Sequence, residues 1–94
     1  MTVTFELAAG GRADVVETDG DRVVLSSTVA AAPGSSLEGE WRTVGARVRI
    51  KVRSCRREPS TSDRFRVEGR FVNLSKTQRA RLLESARQRQ SDRR

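Results

Sequence analysis

This 94-residue sequence contains no histidine and no tyrosine, a single cysteine (Cys55), and four aromatic residues, Phe5, Trp41, Phe65 and Phe71. Without histidine it lacks the commonest general base, the commonest metal ligand and the side chain that changes charge near neutral pH. One cysteine excludes both an intramolecular disulfide and a cysteine-rich zinc site. Cys55 sits among Arg53, Arg56 and Arg57 but has no histidine to form a catalytic pair. Neither a phosphate-cradling glycine loop nor a nucleophilic triad is present. Glu17, Asp19 and Asp21 cluster at a turn but lack a ligand-loop spacing, so they read as turn residues rather than a metal site. The chain is therefore read as not an enzyme, with no catalytic residue, no metal and no cofactor. No apolar run approaches the roughly 18 residues of a membrane-spanning helix. The opening MTVTFELAAGG also lacks the basic-then-apolar layout of a signal peptide, so the cytoplasm is the expected compartment.

Lysine is nearly absent as well: 17 of the 19 cations are arginine. Codon usage alone can produce such a bias, but arginine is also the residue that grips phosphate and guanine through two parallel bonds. The charge is unevenly spread. Residues 1–41 hold two cations against seven acids, residues 42–74 ten against three, and residues 75–94 seven against two, for a net +7. A basic second half suits a phosphate-bearing ligand, an acidic protein surface or an anionic membrane.

The patterning that is present is mostly of period two. Thr2–Leu7, Ala13–Glu17, Arg22–Val29 and Leu37–Trp41 read as strands, with Asp19-Gly20 as a hairpin turn and Pro33-Gly34 fixing a loop. In residues 47–53 valine and isoleucine alternate with Arg47, Arg49, Lys51 and Arg53; residues 64–71 return after a polar loop, 57–63, that contains Pro59. Ser75 with Gln78 three residues on forms a capping box, and Ala80, Leu82, Leu83 and Ala86 give a narrow helical stripe. The expectation is one all-β domain over 1–94, a small antiparallel barrel (about 2–74) closed by a C-terminal α-helix (about 75–88), with a frayed basic tail at 89–94.

Pairing residues 47–53 with 64–70 turns Val48, Ile50, Val52, Phe65, Val67 and Phe71 inward. Outside it gathers Arg47, Arg49, Lys51, Arg53, Arg64, Arg66 and Arg70, with Glu68 the only carboxylate. Like charges opposed on a sheet repel, so this face is a candidate for binding an anion. The same charges also solvate an outer face and discourage edge pairing. Trp41 and Phe71 read as core residues rather than base-stacking platforms, because the chain has so few other large side chains.

The order of elements over residues 13–84, with Gly69-Arg70-Phe71-Val72-Asn73-Leu74-Ser75 leading into a terminal helix, resembles a PilZ domain. That resemblance implies a six-stranded antiparallel barrel and a place in bacterial cyclic di-GMP signalling. The family's RxxxR motif, just before its first strand, has no counterpart here. Where (D/N)xSxxG is expected between the second and third strands the chain reads Glu17-Thr18-Asp19-Gly20-Asp21-Arg22. Arg53–Arg57 and Asn73–Gln78 imitate the two motifs at the wrong places, and no ligand role is carried onto them. Two functions follow from the resemblance: binding of cyclic di-GMP by a non-standard route, or service as an adaptor that contacts a protein partner. The alternative is a small basic barrel that binds nucleic acid without sequence preference.

Overall fold

Six strands form a closed antiparallel barrel in the order β1-β2-β3-β6-β5-β4. They are β1 (Thr4–Leu7), β2 (Arg12–Thr18), β3 (Arg22–Ser27), β4 (Ser36–Trp41), β5 (Ala46–Arg57) and β6 (Phe65–Phe71), followed by helix α1 (Lys76–Ser91). The computed structural model describes residues 3–58 and 63–91, and side chains up to residue 85. Thr2 of the first expected strand, residues 59–62 of the expected loop (with Pro59) and residues 92–94 of the expected tail lie outside the described residues, as does the side chain of Ala86. No helix among the described residues is long and apolar enough to cross a membrane.

The barrel follows from alternation. Val3, Phe5 and Leu7, then Val48, Ile50 and Val52, then Val67 and Phe71 all point inward and are buried. Phe5 sits at the centre, with Trp41 and Phe71 edge-on to it at centroid distances of 6.3 and 6.0 Å. Three of the four aromatics are thus gathered at one place, where ring-edge contacts add to their burial. Phe65 is only partly buried, against the rim of the core, and the Arg57 guanidinium lies over its ring at 5.8 Å.

Two bulges interrupt the alternation. In β2 the register shifts between Val15 and Glu17, leaving Val16 exposed on the outside. In β5 it shifts between Val52 and Ser54. Inward positions therefore run Val48, Ile50, Val52 and then Cys55, which packs against the core. Without that extra residue Arg56 would be aimed inward. A bulge of this kind also increases local twist and re-aims the strand beyond it. β5 is accordingly longer than expected, and Arg57 belongs to it rather than to the following loop.

The β2–β3 hairpin closes as Asp19-Gly20 predicts. Asp19 Oδ1 accepts from the backbone N–H groups of Asp21 (2.9 Å) and Arg22 (2.7 Å), while Gly20 takes φ +92°. These two bonds hold the Asp19 carboxyl below the usual carboxylate range, helped by the nearby Arg22 charge. Leu83 of α1 lies directly over Gly20, where a Cβ would meet its Cδ1 at 3.2 Å. The helix is entered through the expected capping box: Ser75 Oγ accepts from Gln78 N–H at 3.2 Å, and Gln78 Oε1 accepts from Ser75 N–H at 3.0 Å. Leu82 of the helix is fully buried, and Leu74 just before the cap is buried too. Ala80, expected on that stripe, is exposed, and the helix continues to Ser91, past the expected end at residue 88.

Candidate functional site

Strand register decides which cations share a face. On the outside of β3, β6 and β5 three rows lie side by side. The first is Arg22, Arg70 and Lys51; the second is Val24, Glu68 and Ser54; the third is Ser26, Arg66 and Arg56. Successive rows are roughly 6.5–7 Å apart, the repeat of outward positions along a strand. Arg53, the extra residue of the β5 bulge, is also exposed on this side. Two cationic rows thus flank a central row that carries one carboxylate.

The seven expected site residues do not all belong here. Arg47 and Arg49 lie opposite Glu40 and Glu38 of β4. Arg49 places both Nε and Nη2 on Glu38 Oε1, at 3.0 and 2.6 Å. Glu68 is therefore not the only carboxylate on the outer wall: Glu38 of β4 pairs with Arg49, while Glu40 lies opposite Arg47 and 3.9 Å from Arg42. Those two arginines, with Glu6, Glu38, Glu40 and Asn73, line a separate groove of about 420 Å³. Arg64 is structural too. Its guanidinium, with a side chain only 21% exposed, reaches Asp14 Oδ2 at 3.5 Å and the Ser26 carbonyl at 3.3 Å. Asp14 in turn accepts from Thr4 Oγ1 at 2.7 Å, so the cluster joins β1, β2 and β3 to the start of β6.

Lys51, Arg53, Arg66 and Arg70 do share the basic face, and Arg22 and Arg56 join them from outside the expected set. Arg70 pairs with Asp21 at 2.8 Å, and Asp21 also lies 4.0 Å from Arg79 of α1, so this acid ties the hairpin to both β6 and the helix. Glu68 accepts a bond from Ser54 Oγ at 3.2 Å and pairs with no described cation. Lys51, Arg53, Arg56 and Arg66 make no ion pair with any described carboxylate. An open groove of about 530 Å³ runs over the face, its wall including Arg22, Val24, Arg53, Ser54, Glu68 and Arg70. Chemically it offers forked donors for phosphate oxygens around a small apolar floor, with acceptors at Glu68, Glu17 and Asp19.

Asn73, two residues past the end of β6, explains the local break. Asn73 Oδ1 accepts from Arg49 N–H at 2.8 Å and its Nδ2 donates to the Arg47 carbonyl at 3.2 Å. The side chain thereby continues the ladder for one step while the backbone turns toward the helix. Comparisons with protein-family models, with curated proteins and with solved structures find no match to this chain.

Proposed function

We propose that this chain is a non-catalytic binding barrel of the PilZ type, acting in bacterial second-messenger signalling. On this reading the outer face of β3, β6 and β5 takes the phosphates of cyclic di-GMP. The observation that carries the reading is the pair of cationic rows, Arg22–Arg70–Lys51 and Arg66–Arg56: Arg70 pairs with Asp21, but Arg22, Lys51, Arg56 and Arg66 make no ion pair with any described carboxylate, while Glu38, Glu40 and Asp14 pair with or face cations elsewhere on the wall. Directly opposed like charges destabilise a sheet, and a bound anion converts that repulsion into charge-assisted hydrogen bonds. The closed six-stranded barrel with its terminal helix agrees with the layout the resemblance implies. The family's two motifs are missing, so the contacts would come from strand arginines instead.

The test is a calorimetric titration with cyclic di-GMP at about 150 mM salt, near physiological screening, with GTP and a short oligonucleotide as controls. Selective binding with Kd on the order of micromolar, weakened at least tenfold by Arg53→Ala or Arg66→Ala and untouched by Arg49→Ala, is the expected result. Equal binding of all three ligands, falling steeply as salt rises, would mark a non-specific nucleic-acid or polyanion surface. No heat with any ligand would refute a phosphate site on this face.

A further inference from the structure

The outer end of β5 leaves the barrel wall partly open. On the β4 side its last ladder bonds are Gly34 N–H to the Val52 carbonyl (2.8 Å) and Val52 N–H to the Ser35 carbonyl (2.9 Å). The turn marked by Ser35 N–H bonding to the Ala32 carbonyl at 3.0 Å then carries the chain away. β5 nonetheless continues to Arg57, held by β6 alone through Ser54↔Glu68, Cys55↔Val67, Arg56↔Arg66 and Arg57↔Phe65. Glu58 N–H bonds to the Arg64 carbonyl at 3.0 Å, so Glu58 and, two residues back, Arg56 direct their peptide groups toward β6. By the alternation of an antiparallel ladder, the N–H and C=O groups of Cys55 and Arg57 point the other way. Among the described residues no strand pairs with them.

From this we infer that the β5 edge at Cys55–Arg57 takes an extended acidic peptide as an added strand. This goes beyond the ligand reading and does not rest on it. Two donors and two acceptors at a two-residue repeat match the backbone of an incoming strand, which supplies affinity without regard to its sequence. Charge supplies the selection. Arg53, Arg56 and Arg57 are exposed along the edge, with Arg66 across from Arg56, and none of the four has a described carboxylate partner. A second copy of this edge would set arginine against arginine, so self-pairing is disfavoured. A neutral or basic strand gains nothing from the arginines. A strand with carboxylates at alternate positions places them beside Arg53 and Arg56 while its backbone completes the ladder.

The experiment uses fluorescence anisotropy on the full chain with a labelled octapeptide probe alternating Val with Glu and Asp. Three comparison peptides are run: one with Lys at the acidic positions, one with scrambled order, and one N-methylated at alternate residues so that one edge cannot donate. The expected result is saturable binding of the acidic peptide, at least tenfold weaker for the Lys and N-methylated versions, together with slowed amide exchange at Cys55 and Arg57. Arg53→Glu/Arg56→Glu, both exposed and outside the core, should abolish binding without lowering the melting temperature. Equal affinity for the N-methylated peptide would overturn strand addition and leave only charge attraction. Absence of binding to the acidic peptide would overturn the inference altogether.

Discussion

Gly69 offers the sharpest test of how the basic face is built. It faces inward from β6 between Val52 of β5 and Val23 of β3, beside the bulge. A Cβ placed there would stand 2.4 Å from the Lys51 carbonyl oxygen and 2.8 Å from Ile50 Cγ2. The first of these is backbone, so the clash cannot be relieved by a side-chain rotation. Gly69→Ala must push β5 away from β6 or distort the bulge. Overpacking of this kind costs about 1–3 kcal/mol, and a backbone obstacle belongs in the upper part of that range, about 2–3 kcal/mol. A domain of this size is stable by only about 5–14 kcal/mol in total, so the change is large. Gly34→Ala is the control. Nothing lies within 4 Å of a Cβ there, but φ is +89°, so its cost of about 1–2 kcal/mol is purely conformational. Urea unfolding of both variants, read at constant m, gives the comparison. Amide shifts at Lys51, Arg53, Ser54 and Arg70 would report whether the rows move. A loss below about 0.5 kcal/mol for Gly69→Ala, the ordinary scatter of surface substitutions, would refute the close approach of β5 and β6.

Phe71→Ala should cost about 3–5 kcal/mol in the same assay, because the ring is buried and edge-on to Phe5; less than 1 kcal/mol would refute the register of β6. Arg64→Ala should destabilise by about 1–2 kcal/mol by leaving the half-buried Asp14 with only its hydroxyl donor, yet leave anion affinity unchanged; a loss of affinity in calorimetry would return Arg64 to the site. Asp19 should titrate below the ordinary aspartate value of about 3.9. Because its folded value is lowered, its contribution to stability is complete above that ordinary value and is lost as pH falls through the folded one; an Asp19 carboxyl titrating at or above the ordinary value in NMR would remove the turn bonds.

Much of this architecture is legible in the sequence because it depends on neighbours in the chain. The strands are read from alternation, the hairpin from Asp19-Gly20, and the helix entry from Ser75 and Gln78, all local patterns. The inward faces of β5 and β6 are likewise fixed by Val48, Ile50, Val52, Val67 and Phe71. What alternation does not give is the identity of the strand alongside. The basic face was expected from β5 and β6 alone, whereas β4 brings Glu38 and Glu40 to Arg49 and Arg47, and β3 brings Arg22 to Arg70. Those registers are set by packing across the barrel, between residues far apart in sequence. Arg64 illustrates the same gap: its partner Asp14 is fifty positions away. The β5 bulge did leave a local trace, since the apolar spacing changes from two to three between Val52 and Cys55. That change in phase is what places Arg56 on the outside.

The two surface features converge on one stretch of chain. If arginines served only to keep the barrel soluble, they would be expected to spread over the wall or to find acids, as Arg42, Arg49, Arg64 and Arg70 do. Arg53, Arg56 and Arg57 instead cluster where β5 has moved beyond the reach of the β4 acids, and there, among the described residues, the strand also has no backbone partner on the β4 side. The length of β5, twelve residues against six in β4, carries it past the end of β4, and the bulge at Arg53 returns Arg56 to the outside. A barrel selected for stability alone would end β5 near Val52, where its ladder with the β4 side ends. The extra turn of strand adds like-charge repulsion and exposed peptide groups. Those costs become gains when a ligand brings negative charge to the face, or an acidic strand to the edge.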